Sequence, residues 1–158
     1  LEQKVKVLFL CVGNSCRSQM AEGWARRLLG ERVEPYSAGV DPGALDLRAV
    51  AVMGESGVDI SGHRAKPLSE VMHVPFDLVV TVCDRAQASC PLFPGPARVV
   101  HRGFDDPPRL AAGEASGTAA LAHYRRVRDE IRTFVAKLDL APGAGDDPDS
   151  AAPTERAP

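Results

Sequence analysis

No apolar run in these 158 residues approaches the roughly 20 residues that cross a bilayer, so no membrane span is expected. Charge of one sign is missing too. Nineteen Lys and Arg stand against 21 Asp and Glu, a net −2, which excludes the strongly basic surface that nucleic acid or an anionic membrane would select. The chain opens without the basic region, apolar core and small-residue cleavage site of a secretory leader. Cysteine is scarce, and four residues without export signals do not read as a disulfide framework. What remains is a cytoplasmic, single-domain protein with 44% apolar and 25% charged residues. Its thiols are expected to serve redox chemistry, catalysis or metal binding.

Residues 4–11 (KVKVLFLC) become continuously apolar from Val7 to Leu10, the pattern of a strand buried on both faces. Gly13 and Asn14 then suit a tight turn. From Arg17 to Leu29 the period becomes helical, with Met20, Trp24 and Leu28 on one face and Gly30 as the stop. Further strands are expected over 33–37, 77–83 and 97–101. Helices are expected over 47–53, with Leu47, Val50 and Met53 inward, over 68–72 after Pro67, and over 121–138. On the last helix Leu121, Tyr124, Val127, Ile131, Val135 and Leu138 form the inner stripe, while Arg125, Arg126, Arg128, Asp129, Glu130 and Arg132 read as a solvated face. Alternating strands and helices imply an α/β fold, a four-stranded parallel sheet flanked by helices. Residues 1–140 make this domain. Residues 141–158 contain no Val, Leu, Ile, Met or aromatic and four of the thirteen prolines, so they are expected to be a disordered tail.

The junction of the first strand and first helix reads Cys11-Val12-Gly13-Asn14-Ser15-Cys16-Arg17-Ser18. A loop there turns several backbone N–H groups inward at the positive end of a helix dipole, forming a cradle for a tetrahedral oxyanion. Arg17 adds a planar fork of donors for two oxygens. A thiol at the mouth of such a cradle is expected to ionise more readily than a free cysteine. Ser18 is placed to hydrogen-bond the thiolate, and Asn14 to brace the turn.

The segment VLFLCVGNSCRSQMAEGWAR resembles the active-site segment of thioredoxin-coupled arsenate reductases, which share the low-molecular-weight protein tyrosine phosphatase fold. The resemblance continues through Tyr36-Ser37-Ala38-Gly39, Asp77-Leu78-Val79-Val80-Thr81, Gly103-Phe104-Asp105-Asp106-Pro107 and Arg126-Val127-Arg128-Asp129-Glu130-Ile131. It covers about residues 4–138. It implies Cys11 as nucleophile and Val12, Gly13, Asn14, Ser15, Cys16 and Arg17 as the loop that binds arsenate, with phosphate or sulfate as mimics. It implies Asp106, the aspartate before proline, as general acid, with neighbouring Asp105 as the other choice. Cys83 and Cys90, spaced C-x6-C, become the first and second resolving thiols. Their disulfide would be reduced by thioredoxin, or by a low-molecular-weight thiol. The implied biology is arsenical detoxification in the cytoplasm.

Three readings compete. A low-molecular-weight protein tyrosine phosphatase needs only Cys11, Arg17 and Asp106, but Arg109 and Leu110 follow the acid loop where that branch carries aromatics. A redox- or arsenic-sensing protein would use Cys83 and Cys90 and leave Arg17 and Asp106 idle. A zinc site on Cys11 and Cys16 fits zinc spacing poorly. Some family members also bind potassium beside the loop, through residues corresponding to Asn14, Glu22 and Ser37. The fourth ligand, an aspartate, corresponds to Lys66 here, so no potassium requirement is expected. His63, His73, His101 and His123 show no metal-ligand spacing and read as solvent-facing or satisfied in the core, with His63 a candidate to orient a loop.

Overall fold

Four strands pair in parallel in the order β2-β1-β3-β4: β1 (Val5–Cys11), β2 (Val33–Gly39), β3 (Leu78–Thr81) and β4 (Arg98–His101). The computed structural model describes residues 3–89 and 97–141. Cys90 and residues 142–158, nearly all of the expected tail, lie outside the described residues. Val7, Leu8, Phe9 and Leu10 are fully buried, because helices cover both faces of the central strand and every side chain on it must be apolar. The flanking helices are α1 (Arg17–Leu29), α2 (Leu47–Glu55), α3 (Asp84–Ser89), α4 (Pro107–Ala111) and α5 (Gly117–Ala136). Among the described residues no helix is long and apolar enough to cross a membrane.

This order dictates where chemistry can sit. The chain leaves β1 to build β2 on one side, then returns to build β3 and β4 on the other. The C-terminal ends of β1 and β3 therefore flank the point where the strand order reverses, and a crevice opens there. Cys11 ends β1, and Cys83 follows β3 by two residues.

The structure departs from the sequence reading in several places. Leu47 points outward and is 78% exposed, while Ala49 and Val52 join the expected Met53 in facing the core. Asp46 fixes this rotation, since its carboxylate accepts the Arg48 N–H as the N-cap of α2. The segment after Pro67 is only a 3-10 turn over Leu68–Glu70. Helix α5 begins four residues before the expected start, because Ser116 caps it by accepting the Ala119 N–H. Helix α4 begins at a proline pair that supplies no N–H to orphan. The polar face of α5 is not simply solvated. Arg125 and Arg128 both pair with Glu55 of α2, and Arg128, only 12% exposed, also donates to the Val52 carbonyl. These contacts fasten α5 to α2 through their polar flanks as well as their apolar stripes.

Gly23, in the middle of α1, shows how close the packing is. A Cβ there would stand 2.7 Å from Ile60 Cγ2 and 3.2 Å from both Met53 and Val58. Gly23→Val is expected to lower stability by about 2–3 kcal/mol through overpacking, read as a fall in the urea midpoint at unchanged m-value.

Candidate active site

The loop after β1 is built by hydrogen bonds on its outer side. Val40, Asp41, Gly43 and Asp46 donate their backbone N–H groups to the carbonyls of Cys11, Val12, Gly13 and Ser15, at 2.8–3.1 Å. In a trans peptide the N–H points opposite the C=O. With four carbonyls drawn outward to residues 40–46, the amides of Val12, Gly13, Asn14 and Cys16 turn the other way, to the inner side of the loop. The Asn14 N–H indeed lies 3.3 Å from Cys11 Sγ. Asn14 adopts φ +49°, a left-handed turn that asparagine tolerates better than other side-chain-bearing residues. Its fully buried side chain is held on both ends. Oδ1 accepts from the Lys66 N–H and from Gln19 Nε2, and Nδ2 donates to Ser18 Oγ at 2.8 Å.

That last contact orients the nucleophile. Because Ser18 Oγ accepts from Asn14, its own proton is free to point at Cys11 Sγ, 2.9 Å away. Burial pushes the Cys11 thiol above its ordinary range, and nearby Cys83 pushes in the same direction. The Ser18 hydroxyl and the Ser18 and Asn14 amides pull it down. The expectation of a more readily ionised thiol is therefore corrected: in the protein alone, desolvation outweighs the hydrogen bonds. Cys16, also buried, is pushed up still further and stands in the loop as a packing residue.

Arg17 reaches across the cleft. Nη1 donates to the Phe104 carbonyl at 2.9 Å, and Nη2 lies 3.5 Å from Asp106 Oδ1. Asp106 is the N-cap residue of α4, yet its side chain caps nothing and faces the guanidinium. Asp105, also at the cleft, pairs with Arg126 of α5 at 3.0 Å. The two aspartates are thus separated by their partners, and Asp106 is the one that shares the cleft's arginine. Cys83, buried, lines the same cleft as Cys11 and Arg17. Of the histidines, His101 sits in the cleft wall. Its position was not legible as a site, because its partners lie 17 and 20 residues upstream.

Beside the loop, Glu22, Ser37 and Lys66 each have partners within the protein. Glu22 already accepts from Ser37 Oγ at 2.6 Å and from Arg26 Nη2 at 3.0 Å. Lys66 brings an ammonium, half-buried and donating to the Arg64 carbonyl, whose proton affinity burial lowers and Glu22 raises. Among the described residues, no three His, Cys, Asp or Glu side chains are arranged to hold a metal.

Residues 6–141 match the family described as low molecular weight phosphotyrosine protein phosphatase. An arsenate reductase of Halalkalibacterium halodurans is 44% identical over 128 residues, which is 81% of this chain and 90% of that protein. A solved arsenate reductase in the oxidized state superposes with a TM-score of 0.66 at 28% identity, covering 84% of this chain and 95% of that one. A low molecular weight protein tyrosine phosphatase from T. tengcongensis superposes with a TM-score of 0.64 at 31% identity, covering 84% and 95%.

Removing the Ser18 hydroxyl takes away a hydrogen bond to a charged group, about 1.5–3 kcal/mol. Ser18→Ala is expected to cut the thiolate fraction of Cys11 at neutral pH by roughly ten- to hundredfold. The pH profile of iodoacetamide alkylation should move to higher pH. An unmoved profile would show that the hydroxyl does not support the thiolate.

Proposed function

The chain belongs to the low molecular weight phosphotyrosine protein phosphatase family, and within it we infer that this protein works as an arsenate reductase. Its substrate is arsenate, with phosphate the tetrahedral mimic. The observation that carries the reading is the pair of thiols in one cleft, Cys11 at the end of β1 and Cys83 two residues past the adjacent β3. Phosphate hydrolysis requires only one.

Arsenate is held by the inward amides of residues 12–17 and by Arg17. The Cys11 thiolate attacks arsenic, and the departing oxygen leaves as water with a proton from Asp106. An S–As bond has then replaced one As–O bond. Cys83 next attacks Cys11 Sγ, forming an S–S bond. The S–As electron pair passes to arsenic, which leaves as arsenite, reduced by two electrons. Cys90 attacks Cys83 and frees Cys11, so both electrons have come from the Cys83 and Cys90 thiols. Thioredoxin restores the pair by the same exchange. Such a cycle belongs in the cytoplasm, where thiols are kept reduced.

Helix α3 separates Cys83 from Cys90. Six helical residues rise about 9 Å, beyond the roughly 4.4–6.8 Å between the Cα atoms of a disulfide. We infer that helix α3 gives way as the second disulfide forms.

With arsenate, thioredoxin, thioredoxin reductase and NADPH, the wild type is expected to consume NADPH through many turnovers, and Cys83→Ser to stop after the first half-reaction. Absence of NADPH loss, with p-nitrophenyl phosphate hydrolysis unaffected by Cys83→Ser, would indicate a phosphatase. We also propose that the Arg26 and Lys66 cations replace a bound alkali metal. Activity in potassium buffer should equal that in sodium buffer, and strong potassium activation would overturn that proposal.

A further inference from the structure

We propose that His101 is a positioning residue that latches the start of α3 to β4 and thereby holds Cys83 in its reduced setting. The proposal rests on the arsenate reductase reading for its role in the relay, but its geometry stands apart from it.

Thr81 and His101 are partners in the β3–β4 register, and their side chains meet, with Thr81 Oγ1 2.8 Å from His101 Nδ1. On its other edge, His101 Nε2 lies 2.9 Å from Asp84 Oδ1. A carboxylate only accepts, so Nε2 carries the proton. Nδ1 of the neutral ring then accepts from the Thr81 hydroxyl, and both contacts are satisfied in one tautomer. Thr81 is fully buried and its strand fixed, so the chain of bonds runs from the sheet outward to Asp84.

Asp84 is the first residue of α3, follows Cys83 directly and has a side chain 90% exposed. Without His101 nothing in its burial would fix it. Gly103 leaves the room the latch needs, since a Cβ there would stand 3.0 Å from Asp84 Oδ1 and 3.4 Å from His101 Nε2. The first turn of α3 closes on Cys83 itself, whose carbonyl accepts the Gln87 N–H at 3.1 Å. Holding Asp84 therefore holds the turn that carries Cys83. On the inference that α3 gives way for the second disulfide, a contact that favours its helical form favours the dithiol over the disulfide. Loss of the latch should make that couple more reducing.

The test uses the full chain with His101→Ala, Asp84→Ala, the double variant and His101→Gln, whose amide can donate and accept in place of the ring. In the reduced protein, hydrogen exchange over residues 84–89 is expected to quicken about five- to tenfold in each alanine variant. The double variant should be no faster, and His101→Gln should recover part of the protection. In dithiothreitol buffers the Cys83–Cys90 equilibrium should shift towards disulfide by a similar factor, about 30 mV for a tenfold change. Exchange and equilibrium unchanged in His101→Ala would overturn the latch, as would single effects that add in full, because they would then be independent helix-end effects. If the wild type forms no Cys83–Cys90 disulfide, the relay reading fails while the exchange result still decides the latch.

Discussion

Everything at the cleft depends on which way a few peptide groups face. The four loop carbonyls bonded to residues 40–46 commit the opposite amides to the inner side of the loop. That commitment needs two permissive positions. Gly39 ends β2 so close to the loop that a Cβ would lie 2.6 Å from the Val12 carbonyl, which would drive the strand off the loop it shapes. Asn14 supplies the left-handed turn and then spends its side chain fixing Ser18 and the Lys66 backbone. The oriented amides act as fixed dipoles, and they need no reorganisation when charge arrives.

Charge is distributed around the cradle so that each acidic group has an assigned partner. Arg126 takes Asp105, Arg26 takes Glu22, and Arg17 stands between the Phe104 carbonyl and Asp106. The Arg17–Asp106 contact, at 3.5 Å, is the loosest of the three. An incoming oxyanion can therefore compete for the guanidinium without breaking a tight pair, and Asp106 stays within the cleft as it does so.

How far the sequence reveals this depends on the range of the interactions involved. The β1-loop-α1 unit is legible because its signals are local: a strand with no polar position, a turn carrying Gly13 and Asn14, and a 3.6-residue period that stops at Gly30. Helix α1 spans Arg17–Leu29, as that period requires. Leu47 misleads because a single capping carboxylate, not the apolar pattern, sets the rotation of α2. Arg128 misleads because its bond to the Val52 carbonyl joins residues 76 apart. His101 is silent in the sequence, since nothing local distinguishes a latch from a surface histidine until β3 and β4 pair. The thiol of Cys11 goes astray differently: motif chemistry speaks for the dipoles, whereas burial is a property of the whole fold.

The chemistry of the proposed relay also gives it an order. Before arsenate binds, Cys11 Sγ carries no leaving group, so attack on it by Cys83 could form no disulfide without an oxidant. Once Cys11 is bonded to arsenic its sulfur carries one, and attack by Cys83 expels arsenite with the S–As electron pair. With Cys83 two residues past the end of the adjacent strand, the second thiol already lines the same cleft, and the first covalent step is the condition of the second.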